Sequence, residues 1–338
     1  MPLRAAPRMH CMRLRAAFCV CTATALQLAK QQRFVQPRLS QPTMSLQPLM
    51  QQLGRTTLGT AVAYKVAKGG HKRGSLNSVG AVAAFTVAAL AFSCSFRSGV
   101  TLLCFYKTGS MLTKYGAAVK QKLEDDYVAG EGQRGAGQVL ACSAIAVACA
   151  LIRRVFVGTD GPLSLGVGEL ECLGNRLTLA FVAFFACCAG DTYASELGIL
   201  SKSPPRLVTK PWKVAKPGTN GGISALGTAA SAAGGIAMGL CHGLFMFPPS
   251  LREVAALAYV GLLAGAGGSL VDSLLGATVQ ASYFCSEKQK IVKRPTATTT
   301  HVSGLPVLSN EMVNFVSTAL VAYAAYAAPR RLLLRFAT

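Results

Sequence analysis

The sequence predicts an all-α polytopic membrane protein with about six to seven transmembrane helices, and three observations carry that expectation. Of 338 residues, 51% are hydrophobic and only 14% are charged, where soluble domains carry about 25% charged residues. Apolar runs recur at 77–94, 97–112, 136–157, 174–198, 221–247, 253–280 and 310–328. Most approach the ~20 residues that a helix needs to cross hydrocarbon with its backbone satisfied. The polar segments between them are sorted by charge. Lys and Arg collect in 64–73, 107–134, 199–217 and 281–308, whereas 158–173 holds Asp160, Glu169 and Glu171 and no base. Seven crossings place the four basic segments on one side, as the positive-inside rule prefers. The C-terminal "RRLLLR" then falls on the other side, so the last segment re-enters or the count shifts by one.

The N-terminal region reads as targeting sequence. Residues 1–73 carry twelve Lys and Arg, and the first acid of the chain is Glu124. A basic, acid-free profile is that of an organelle presequence. Within it, "MRLRAAFCVCTATALQLA" has the length of a signal core and is too short to span a bilayer. Followed by "KQQRFVQPRLSQPTMSLQP", it fits a plastid reached through the secretory route; a plain plastid or mitochondrial transit peptide is the alternative. The chain therefore divides into a presequence (1–50), a basic lead-in (51–76), a transmembrane domain (77–330) and a basic tail (331–338). In the lead-in, 51–67 is expected to form a short hydrophobic or amphipathic helix.

Several functions are excluded. The net charge of +21 sits in short clusters between apolar runs, which suits membrane-facing loops and phosphate sites; no nucleic-acid partner is expected. The twelve cysteines form no CxxC pair and have no His at metal spacing, so they read as buried thiols. "GEGQRG" at 130–135 follows no strand and is not a dinucleotide fingerprint, and GxxxxGK[ST] is absent. His242 and His301 lack ligand partners at useful spacing, and Trp212 reads as an interface anchor.

The chemistry concentrates in three places. Asp191 ends the run "LTLAFVAFFACCAG", with Ser195 one helical turn on, and Thr192 and Glu196 beside them. Carboxylate and hydroxyls at a helix end suit Mg²⁺, which takes one or two carboxylates with phosphate oxygens and waters. The next segment supplies Lys202, Arg206, Lys210 and Lys213, and "KPGTNGGIS" then opens a helix. There Gly218, Gly221 and Gly222 permit a tight turn, Thr219 and Asn220 add donors, and the helix start presents N–H groups to an anion. In 253–280, Gly261, Gly265, Gly268, Asp272 and Gly276 share one face. An acid that deep costs roughly 3 kcal/mol to insert, so Asp272 must face a polar cavity, a cation or a base. Gly235, Gly239 and Gly243 make a helix-packing ridge.

With these residues the chain resembles the transmembrane protein 19 family, which includes a plastid phytyl-phosphate kinase branch. The likeness rests on "KRGSLNSVGAVAA" (72–84), "GSMLTKYGAAVKQKLEDDY" (109–127), "EGQRGAGQV" (131–139) and "GDTYASELGILSKSPPRLVT" (190–209). It continues through "VAKPGTNGGISALG" (214–227), "GSLVDSLLGATVQ" (268–280) and "HVSGLPVLSNEMVNF" (301–315), and spans about 60–328. The resemblance implies a multi-pass kinase domain over 77–330. It would phosphorylate prenyl (phytyl) monophosphate to the diphosphate with CTP or another nucleoside triphosphate and Mg²⁺, in a plastid membrane, for tocopherol and prenylquinone synthesis. A mitochondrial or endoplasmic reticulum membrane is the alternative location.

The roles it implies are these. Asp191, Glu196 and Asp272 serve the metal; Lys213, Gly218, Thr219, Asn220 and Gly221 cradle donor phosphates. Arg73, Lys114, Arg134 and Arg206 bind the acceptor phosphate or neutralise the transferring group, and Ser195 and Asn310 complete the substrate set. The small-residue faces at Gly268 and Gly276 would leave room for the prenyl tail. A looser similarity to phytol and dolichol kinases keeps a prenyl-alcohol kinase as an alternative. A transporter of an anionic solute, which also uses intramembrane acids and glycine-broken helices, is the competing class.

Overall fold

The computed structural model describes residues 46–123, 134–158, 160–287, 289–292 and 295–338. The chain divides into Met1–Leu49 and Met50–Thr338. In the first unit only the opening residues of one helix are described, so the targeting expectation for 1–50 lies almost wholly outside the described residues. "GEGQRG" does too, as far as Gln133. Everything below belongs to the second unit.

Helix α1 (Leu46–Lys72) replaces the short lead-in helix expected at 51–67. It is followed by α2 (Ser78–Cys94), α3 (Phe96–Leu123), α4 (Ala136–Ala141), α5 (Ala144–Phe156) and α6 (Leu173–Gly198). Then come α7 (Ala225–Leu244), α8 (Leu251–Val279), α9 (Asn310–Ala327) and α10 (Pro329–Leu333). Starts are fixed by short polar side chains that take an otherwise orphaned amide: Asn77 from Gly80, Ser224 from Gly227 and Ser309 from Met312.

Within α1–α3 and within α6–α8, successive helices run in alternating directions. Gly59 meets Phe92 and Gly70 meets Leu76, so α2 returns along α1. The Ser75 hydroxyl reaches that of Tyr106 at 3.0 Å while Gly99 meets Phe92, so α3 returns along α2. Gly227 meets Gly198 and Gly234 meets Ala189 on the returning α7; Gly235, Gly239 and Gly243 then meet Gly261, Leu257 and Val254 on α8. A side chain at Gly235 or Gly261 would fall on the other's carbonyl oxygen. The four-residue glycine spacing thus brings two backbones into direct contact. Helix α6 is the centre of the body: every residue from Leu177 to Gly190 is buried, as expected of a helix that is apolar all round.

One expectation is corrected. The chain is mostly helical but not all-α: two three-stranded antiparallel sheets stand in the polar segments, with strand orders β2-β1-β3 and β5-β4-β6. The first comprises β1 (Arg206–Leu207), β2 (Lys210–Val214) and β3 (Gly222–Ile223). The second comprises β4 (Ser282–Cys285), β5 (Lys290–Val292) and β6 (Thr299–Ser303). Strands this short lack the long alternation by which strands are recognised.

By length and composition alone, two described helices, α6 and α8, are long and apolar enough to cross a membrane. They become three if α9 and the following Pro329–Phe336, bent by 79°, form one broken span. The apolar α2 is short of that length, and α1 and α3 carry Lys65, Lys68, Arg97, Lys107 and Lys114 along them.

After Pro329 the chain packs at the end that holds the acidic segment. Thr338 donates its amide to Leu165 O (3.0 Å), the Arg335 guanidinium lies 4.2 Å from the Tyr259 ring, and Arg176 donates to Tyr326 O (3.1 Å). That same end contains a buried ionic cluster. Arg97 donates to Glu253 Oε1 at 2.7 Å and contacts Asp160 Oδ1 at 2.9 Å, and Arg153 reaches the same Asp160 oxygen at 3.4 Å. Arg97 also donates to Gly161 O (2.6 Å).

Candidate functional site

At the opposite end, the C-termini of α6 and α8 and the N-termini of α7 and α9 open on one cavity of about 730 Å³. Its lining includes Gly198, Ser224, Gln280 and Asn310 from those four ends. Helix C-termini favour cations and helix N-termini favour anions, so the backbone alone suits a cation–anion pair. The strands contribute Gly222, Ile223, Ile291 and Val292, placing both sheets around its mouth.

Asp191 and Asp272 both line this cavity. The packing of α6 on α8 explains why. A Cβ at Gly190 would lie 2.6 Å from Gly265 O, and one at Gly268 would strike the Cys187 sulfur. Each carboxylate lies within a turn of that crossing. Asp272 is held in place: Ser317 Oγ donates to Oδ2 at 2.8 Å, and the Asn314 amide, turned so that both its ends are satisfied, donates to the same oxygen at 3.2 Å. Glu196 also lines the cavity but is buried, with Thr113 donating to Oε1 at 3.1 Å. Among the described residues no three His, Cys, Asp or Glu side chains are placed to hold one metal ion together. The expected set of Asp191, Glu196 and Asp272 therefore does not form one cluster. Mg²⁺ takes one or two carboxylates with phosphate oxygens and waters, and Asp191 and Asp272 are two carboxylates of one cavity lining.

The phosphate cradle is placed differently from the sequence expectation. Gly218, Thr219, Asn220 and Gly221 line the cavity, but α7 begins only at Ala225 and is capped by Ser224. Three amides of the intervening turn are already bonded: Thr219 N donates to Lys216 O, Gly222 N to Thr219 O, and Asn220 N to Ser282 Oγ. The Asn220 side-chain amide donates to Ala281 O at 3.3 Å, locking the turn to β4. Gly218 and Gly221 have φ of 84° and 76°. A Cβ at Gly221 would also lie 2.7 Å from Ser273 O. Gly221→Ala is expected to cost about 1–3 kcal/mol, measurable as a lowered unfolding midpoint in detergent.

The basic residues separate into two groups. Arg134 and Lys202 line the cavity; Arg206, Lys213, Arg73 and Lys114 do not. Arg206 turns outward from β1 and donates to Pro211 O (2.9 Å), because its neighbour Leu207 takes the buried face. Lys213 lies on β2, the edge strand, exposed throughout. Arg73 and Lys114 are exposed. Ser195 and Asn310 line the cavity, Asn310 accepting from Gln280 Nε2 (3.3 Å). The sequence reading missed Gln138, Gln280, Asn314 and Ser317. Asn314 and Ser317 stand three apart on α9, the spacing of one helix face, which was the available signal.

Of the two glycines expected to leave room for a tail, Gly268 packs on Cys187, whereas Gly276 lines the polar cavity beside Asn220 and the Gly221 amide. An apolar cavity lies elsewhere, lined by α1, α2, α3, α4 and Phe185 of α6.

The body is helical, holds helices long and apolar enough to cross a membrane, and carries a polar, acid-bearing cavity between helix ends. Comparison with known proteins gives the class. The chain belongs to the family of integral membrane protein DUF92, which matches residues 61–322. It is 38% identical over 276 residues to Protein PGR of Arabidopsis thaliana, covering 80% of this chain and 94% of that protein. It is 30% identical over 189 residues to uncharacterized membrane protein MJ0933 of Methanocaldococcus jannaschii, covering 56% of this chain and 67% of that protein. No solved structure matches.

Proposed function

We propose that this protein is a multi-pass membrane kinase that converts a prenyl (phytyl) monophosphate to the diphosphate with CTP or another nucleoside triphosphate. One observation carries the reading: Asp191 and Asp272, from separate helices, share a cavity with Arg134 and Lys202. Carboxylates facing a cavity repel polyanions unless a divalent cation enters with them. Phosphoryl transfer between two phosphates needs that combination, together with alignment and charge neutralisation. Mg²⁺, when bound, would neutralise phosphate charge.

The chain's own residues do the rest. Asp191 and Asp272 would hold the ion, and Ser317 and Asn314 keep Asp272 oriented. Arg134 and Lys202 would draw the two substrates together. An oxygen of the acceptor phosphate forms the new bond to the donor's terminal phosphorus as the bond to the bridging oxygen breaks, releasing the nucleoside diphosphate. The acceptor is already an anion, so no strong base is needed. The acid-free first 73 residues support a plastid membrane and hence supply of tocopherol and prenylquinones. The alternating helices support more crossings than the two or three that length and apolarity alone identify.

The test is purified protein in detergent with labelled CTP, Mg²⁺ and phytyl monophosphate. Label transfer to the lipid is expected. If other nucleoside triphosphates and prenyl phosphates also yield no transfer, the kinase reading fails and an anion transporter takes its place.

A further inference from the structure

The apolar cavity noted above has a volume of about 130 Å³. Its wall includes Ala67, Val87, Leu102, Phe105, Val139 and Phe185. Four residues line both it and the polar cavity: Arg134, Gln138, Thr192 and Asn314. All four are polar, so the two spaces meet at a polar ring. Among the described residues the Arg134 guanidinium makes no hydrogen bond or ion pair. Its backbone is fixed, since its amide donates to Ser75 O (3.1 Å) and its carbonyl accepts from Asn77 N (3.3 Å).

We propose that the apolar cavity seats the phosphate-proximal isoprene unit of a prenyl monophosphate, with Arg134 at the junction taking its phosphate. This rests on the prenyl-phosphate reading of the polar cavity and assigns the part of the substrate that the protein recognises. At roughly 30 Å³ per water-sized group, the cavity holds about one isoprene unit. The remaining tail must leave the protein. The outer faces of α1 and α2 present Val62, Tyr64, Val79 and Val82 to the surroundings, so a tail emerging between these helices meets lipid.

A consequence follows for specificity. Phytyl and geranylgeranyl phosphates share the same first unit, and their differences lie beyond it. The protein is expected to bind both, and farnesyl phosphate, within about threefold of one another.

The experiment uses the full chain in detergent and a prenyl monophosphate carrying a diazirine on its first isoprene unit. Photolabelling is expected on peptides of α2 and α3 around Val87 and Leu102, competed by geranylgeranyl monophosphate and not by inorganic phosphate or a straight-chain alkyl phosphate. Two cavity-filling variants, Ala88→Leu and Ala84→Leu, are expected to weaken geranylgeranyl monophosphate binding at least tenfold, while a folding check by size exclusion stays unchanged. Labelling confined to the Gly268–Gly276 face, or folded filled variants that bind as the wild type does, overturns the assignment. Pocket-dependent labelling without label transfer from CTP or any other nucleoside triphosphate upholds this site and removes the kinase reading instead. Absence of prenyl monophosphate binding by the wild type overturns both.

Discussion

Asp191→Asn is expected to reduce phosphoryl transfer about a hundred- to a thousandfold while the protein still folds. Asn keeps the volume and hydrogen-bonding shape of the side chain and removes only its charge. The loss is then that of charge stabilisation at the transferring group, for which effects of this size are typical. Asp272→Asn should fall in the same range, since the two carboxylates face one cavity. If both act on the same ion, the double variant should lose far less than the product of the single losses, as residues acting as a unit do. Initial rates at varied Mg²⁺ decide the matter: the single variants should require more Mg²⁺ as well as turn over slowly. A wild-type rate and Mg²⁺ dependence for Asp191→Asn would remove this cavity from the chemistry.

Arg97→Met should destabilise the protein by about 3–5 kcal/mol, the range for removing one partner of a buried ion pair. Arg97 and Glu253 are both 1% exposed and joined at 2.7 Å. Two bases, Arg97 and Arg153, and two acids, Asp160 and Glu253, balance one another at the end of the bundle opposite the cavity. Without Arg97, Glu253 is left as an uncompensated buried charge. Pairing Arg97→Met with Glu253→Met removes both charges and should recover much of the loss. Unfolding midpoints in detergent check both statements, and an unchanged midpoint in Arg97→Met would mean the cluster contributes nothing to stability.

What was legible in the sequence had a local cause. The long apolar run ending at Gly190 identified the central helix because no other environment accepts so many consecutive buried side chains. Asp191 and Asp272 were legible because a carboxylate within an apolar run needs a polar reason to be there. The glycines of α7 and α8 were legible because their spacing repeats. The turn Gly218–Gly221 was legible as an anion cradle, though the Thr219 and Asn220 amides proved already bonded to Lys216 and Ser282. Arg97 lay in what read as an apolar run, and Glu253 gave no signal, since their partnership joins residues 156 apart in the chain.

By itself, then, the sequence determined a helical membrane protein, two acids that must face something polar, and glycine faces that must touch other helices. Each of these follows from transfer energies and helical period, which act within one segment. Only the tertiary structure decided which charges meet. The close glycine crossings carry Asp191 and Asp272 to one cavity, and the short strands turn Arg206 and Lys213 away from it. Helices distant in sequence enclose the apolar space beside Arg134. Contact between segments depends on how their faces fit, and no periodicity within a single segment encodes that.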